Sequence, residues 1–179
     1  MSSVSRPNHP FRNSDPTLGI DVGGVIVARL AADTDTSFFG TRPMDTPPVE
    51  GAFEAIAELA RRFEYRVHIV SKAGPKIDGL TRQWFGERRF FERTCVPSSN
   101  LYFVRKRHEK APVCARLGIT HFIDDRPDVL ENLADVEHCL LFTGGLGPNI
   151  EVPPTDGRWT VADSWAGVLN RFAVQPSGS

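Results

Sequence analysis

Apolar and polar positions follow two different periods along this chain, and their alternation predicts the elements in order. Leu18-Gly19-Ile20-Asp21-Val22 is a short apolar run carrying one carboxylate, followed by Gly23-Gly24 and then Val25-Ile26-Val27. It reads as a first strand over 18–22 that breaks on a glycine turn, where backbone can come close to a neighbour. From Ala28 to Pro48 the periodicity is lost, and Pro43, Pro47 and Pro48 punctuate a long loop. Phe53, Ile56, Ala57, Leu59, Ala60 and Phe63 then recur at helical spacing. A strand over 66–71 follows, and a helix over roughly 77–91 with Ile77, Leu80, Trp84 and Phe85 near one face. Residues 101–104 form a third strand, and 110–117 a helix stopped by Gly118. A fourth strand over 120–123, a helix from 127 to about 134 and a fifth strand over 139–142 come next. A Gly/Pro-rich segment over 144–157 and a helix near 163–172 close the chain.

Strands alternating with helices predict an α/β fold: a three-layer, doubly wound parallel sheet of about five strands with the first strand central. The expected organisation is a loose N-terminal arm (1–16), a single domain (17–173) with a lid-like loop at 28–48, and a frayed tail (174–179). Composition agrees with one soluble domain, since 179 residues with 40% apolar and 24% charged positions can bury a sizeable core. A formal net charge of −1 gives no overall attraction to nucleic acid or anionic lipid. Cys95, Cys114 and Cys139 are widely spaced and lack a CxxC pair, which suits reduced thiols. Neither a secretory leader nor an apolar run of ~20 residues is visible. The expectation is a cytoplasmic protein without a membrane partner.

Ligands of doubly wound sheets bind beyond the carboxyl ends of the strands. Three of the predicted strands end on loaded residues: Asp21, then Ser71-Lys72, then Asp124-Asp125, while Lys110 stands on the helix entering the last of these strands. Each has a plain alternative. Asp21 could cap its turn, Asp124-Asp125 could be a solvated turn before Pro127, Lys110 a surface charge and Ser71 a helix cap. At matching strand ends they instead predict one pocket. Clustered carboxylates repel unless a cation lies between them. A hard divalent ion with oxygen ligands, Mg²⁺, resolves the conflict. The hydroxyl and ammonium then suit a phosphate, and a carboxylate facing a metal-bound phosphate is a competent nucleophile.

Strand-Asp, strand-Ser, Lys and strand-Asp-Asp, in that order, resemble the four motifs of the haloacid dehalogenase-like superfamily over about residues 18–128. Phe122-Ile123-Asp124-Asp125-Arg126-Pro127-Asp128 is similar to the last motif of its 5′-nucleotidase-like members. The resemblance implies a Mg²⁺-dependent phosphomonoesterase with a minimal cap, working through an aspartyl-phosphate on Asp21. Asp21, Ser71 and Lys110 would be catalytic, with Lys106 as the alternative lysine. Ser71, Lys72, Lys110 and Gly24 would bind phosphate, and Asp21, the Gly23 carbonyl, Asp124 and Asp125 would hold the metal. The family's phosphatases carry an acid/base Asp two residues after the nucleophile; here that residue is Gly23. Asp33, Asp35, Lys72 and His108 are candidate replacements. The alternative is a catalytically impaired pseudophosphatase that keeps the metal and a phosphorylated ligand. The expected partner is a phosphorylated small molecule or macromolecule. Nucleic acid is weakly supported by Arg82, Arg88, Arg89, Arg93, Arg105, Lys106 and Arg107, which read better as the solvated side of amphipathic elements.

Overall fold

The structure, a computed structural model, describes residues 15–29, 39–145 and 157–172. Most of the N-terminal arm, residues 30–38 of the lid-like loop with Asp33 and Asp35, and the tail lie outside the described residues. Among the described residues, six strands form one sheet: β1 (Leu18–Ile20), β2 (Val67–Lys72), β3 (Leu101–Val104), β4 (His121–Asp124), β5 (His138–Phe142) and β6 (Trp159–Ala162). The spatial order is β3-β2-β1-β4-β5-β6, and every neighbouring pair is parallel. The α/β, doubly wound reading holds, with β1 central.

Among the described residues, six α-helices cover the sheet: α1 (Ala52–Arg62), α2 (Pro75–Glu87), α3 (Phe90–Thr94), α4 (Lys110–Leu117), α5 (Pro127–Glu131) and α6 (Trp165–Arg171). Side chains of one strand alternate between faces, so each face has its own core. Leu18, Ile20, Val67, Ile69, Ile123 and Leu140 pack on one side with residues of α1, α2, α3 and α6. Val70, Phe122, Cys139 and Leu141 pack on the other with Cys114 of α4 and Val129 and Leu130 of α5. Trp84, Trp159 and Trp165 are all buried, as packing residues should be.

Two features depart from the expected elements. β6 is a sixth strand in a stretch without a strong pattern. It is an edge strand whose burial alternates only partly, so four residues carry little signal. The helix expected over 77–91 divides at Arg89, which adopts a left-handed conformation with φ 53°. That break turns Phe90 into the core, where it stacks on Phe85 at 4.3 Å. The described end of the lid-like loop lies against the domain. Phe39 is buried, Ala28 N–H donates to Pro47 O (3.0 Å), and Trp84 Nε1 donates to Thr46 O (2.8 Å).

Candidate metal centre

The strand order reverses between β1 and β4, the position at which doubly wound sheets bind their ligands. β1 pairs with β2 on one side and β4 on the other, placing Ile20 between Ile69 and Ile123. Asp21 follows directly and donates its N–H to Ile123 O at 3.0 Å, so its position is set by β4. The next residues close a compact buried turn: Ile26 and Val27 N–H groups donate to Val22 O at 2.8 and 3.0 Å. Gly19 lets the two strands carry these ends so close together. A Cβ there would lie 2.6 Å from Phe122 Cε2.

Lys110, the first residue of α4, is buried and donates to both partners: Asp21 Oδ1 at 2.8 Å and Asp124 Oδ2 at 2.7 Å. The other oxygen of Asp124, Oδ1, accepts the Arg126 N–H at 3.0 Å. Asp125 is also buried, and its Oδ1 has no hydrogen-bond partner among the described residues. Its Oδ2 lies 3.2 Å from Arg29 Nε. Oxygens of Asp21, Asp124 and Asp125 lie within 4.8 Å of one another, a set that can hold a metal ion. The all-oxygen donor set suits a hard cation, and an orphaned buried carboxylate oxygen is costly without one. Three carboxylates face two cationic side chains, so the cluster keeps a formal negative charge that attracts a cation.

Protonation follows the same geometry. Burial and the neighbouring Asp21 carboxylate raise Asp124 from 3.8 to about 6. Burial, with Asp124 and Asp21 beside it, lifts Asp125 well above the usual carboxylate range. Burial alone would lower Lys110, yet Asp124 and Asp21 outweigh it and raise its pKa, so the ammonium stays charged.

Of the expected site residues, Asp21, Lys110, Asp124 and Asp125 meet directly. Ser71 is buried two positions past the Ile69–Ile20 pairing, level with the turn after Asp21. Lys72 is half-buried at the end of β2, opposite Val104. Gly23 bridges to Val27 and has no left-handed backbone, so a side chain is conformationally allowed there. Gly24 is left-handed (φ 75°) and its N–H donates to Val27 O at 2.8 Å. Its Cα faces Asp125, and a Cβ would collide with Asp125 Oδ2. Lys106 and His108 are exposed, so the lysine of the cluster is Lys110.

Arg29 escaped the sequence reading because an isolated arginine at the start of an aperiodic loop carries no pattern. Its one signal is position, directly behind the buried run 25–27. Much of the basic region is bound to the domain itself. Arg88 donates to Met44 O and Thr46 O (both 2.9 Å) over the Trp84 ring, Arg93 lies over Phe53, and Arg105 donates to Ala73 O at 2.6 Å.

No protein-family model matches the chain. It is 28% identical over 98 residues to a protein of Oceanobacillus iheyensis named "Putative nucleotidase OB0422", covering 54% of this chain and 49% of that protein. The chain therefore spans about half the length of the curated relative it matches. Among the described residues, no helix is long and apolar enough to cross a membrane.

Proposed function

We propose that this protein is a Mg²⁺-dependent phosphomonoesterase of the haloacid dehalogenase-like type, using Asp21 as nucleophile. The observation that supports it most is the buried Lys110 shared between Asp21 and Asp124, beside Asp125, at the switch point of a parallel sheet. Similarity to a protein named as a nucleotidase favours a phosphate ester as substrate class. Asp21, Asp124, Asp125 and the Gly23 carbonyl would hold Mg²⁺, which supplies charge neutralisation for the phosphoryl oxygens when bound.

Lys110 engages Asp21 Oδ1 and leaves the second carboxylate oxygen to attack. That oxygen bonds to phosphorus while the ester P–O bond breaks, and the departing alkoxide takes a proton from water. A second water then attacks the aspartyl-phosphate, losing a proton to the hydroxide left by the first, which releases hydrogen phosphate and restores the Asp21 carboxylate. Ser71, Lys72 and Lys110 would bind the phosphoryl oxygens. Gly23 supports a second reading, a pseudophosphatase that binds but turns over poorly, since a positioned acid/base is typically worth about 10²–10⁴-fold.

Phosphate release from a panel of nucleoside monophosphates and other phosphomonoesters tests the proposal. Release should require Mg²⁺ and fall to background in Asp21→Asn. A panel with no Asp21-dependent release removes the enzyme reading. Gly23→Asp should raise turnover by about 10²–10⁴-fold if the missing acid/base is the sole deficit. An unchanged rate would show that another group already serves.

A further inference from the structure

We propose that Arg29 is a positioning residue for the metal, engaging Asp125 Oδ2 so that Oδ1 is presented to the cation. The inference rests on the metal-site reading above and adds a residue that the motif resemblance does not include. The two oxygens of Asp125 differ sharply. Oδ2 is ion-paired with Arg29 Nε at 3.2 Å, a charge contact without hydrogen-bond geometry, whereas Oδ1 is buried with no hydrogen-bond partner among the described residues. Asp124, by contrast, has one oxygen on Lys110 and the other on the Arg126 N–H. Asp125 therefore offers the free ligand atom of the pair.

The surroundings are built for this contact. The Asp125 side chain is 1% exposed while that of Arg29 is 28% exposed, so the arginine reaches in from the rim. The chain around Arg29 is tied by Ala28 N–H to Pro47 O (3.0 Å) and by Arg29 N–H to Gly145 O (3.4 Å). Gly24 supplies the room. A Cβ on it would collide with Asp125 Oδ2 and lie 3.1 Å from Arg29 Nε. A carboxylate has two nearly equivalent oxygens, and holding one of them fixes where the other points. Outer partners of metal ligands act in this way, and losing one typically costs about 10–100-fold in metal affinity. The rival role is a competitor, a guanidinium that must leave before a cation binds. The rival gives the opposite sign on substitution.

Calorimetric titration of the full chain with MgCl₂ and with MnCl₂ separates these outcomes without reference to turnover. Arg29→Gln should weaken both ions by about 10–100-fold, with Arg29→Lys between it and the wild type. In Asp125→Asn, adding Arg29→Gln should produce almost no further loss, because Arg29 acts through Asp125. Tighter or unchanged binding in Arg29→Gln overturns the proposal, as does full additivity in the double variant. Should Arg29→Gln fail to fold, Arg29→Lys carries the test, and unchanged or tighter binding in it counts against the proposal. A wild-type chain that binds neither ion instead removes the metal-site reading itself.

Discussion

Asp124 and Asp125 are each more easily protonated in the folded chain than in the unfolded one, and that difference has a definite pH signature. A carboxyl raised from 3.8 to about 6 favours the fold below pH 4, and its contribution is lost as pH rises through 6. The metal-free protein should thus lose this contribution over that window. Protons and a cation compete for the same oxygens, so Mg²⁺ affinity should climb from pH 5 to pH 7. Thermal melts with and without Mg²⁺ at the two pH values check this, and the stabilisation by Mg²⁺ should be larger at pH 7. His121 acts with the opposite sign. Burial, then His138 at a ring distance of 4.4 Å, lowers it from 6.5 to about 4. Its share of stability is present above pH 6.5 and lost as pH falls through 4, which opposes the Asp124 contribution over the same window, so His121→Gln should steepen the fall in metal-free stability from pH 4 to pH 6. At this scale the candidate site was readable where a residue's place in a strand gave it meaning. Asp21 and Asp124 stand at strand ends, and Lys110 opens a helix. Arg29 was hidden because its partner is 96 positions away and no local pattern joins the two.

The β1–β4 pair is the element on which the centre depends. Gly19 faces the Phe122 ring across that pair, so Gly19→Ala must move the ring or spread the strands. Overpacking of this kind costs about 1–3 kcal/mol. Denaturant unfolding should show that loss, and calorimetry should show weaker Mg²⁺ binding in the same variant, because Asp21 and Asp124 lie two positions beyond those residues. The strong periodic elements were legible: α1 and α4 and the strands β1 to β5 lie close to where the apolar pattern puts them. β6 was missed since an edge strand needs only part of one face to be apolar. The division between α2 and α3 was missed for a different reason. Burial of Phe90 against Phe85 and Phe53 sets the left-handed turn at Arg89, and long-range packing leaves no trace in local spacing.

Across the whole molecule, the centre gathers residues from both ends of the fold. Asp21 follows the first strand, Asp124 ends the fourth with Asp125 next to it, and the turn after Asp21 is held by α6. Trp165 of α6 is 1% exposed, packs 5.3 Å from the Phe142 ring, and donates Nε1–H to Val25 O at 3.0 Å. Trp165→Ala should cost about 3–5 kcal/mol in unfolding free energy, checked by denaturant unfolding. Trp165→Phe keeps most of the packing and removes the hydrogen bond, at about 1–3 kcal/mol for the carbonyl left unsatisfied. The same contact makes the indole a resident optical probe. Its dipole is coupled through one carbonyl to the loop that would carry the nucleophile, so occupancy of the crevice should be readable as a change in tryptophan emission, without label or substrate.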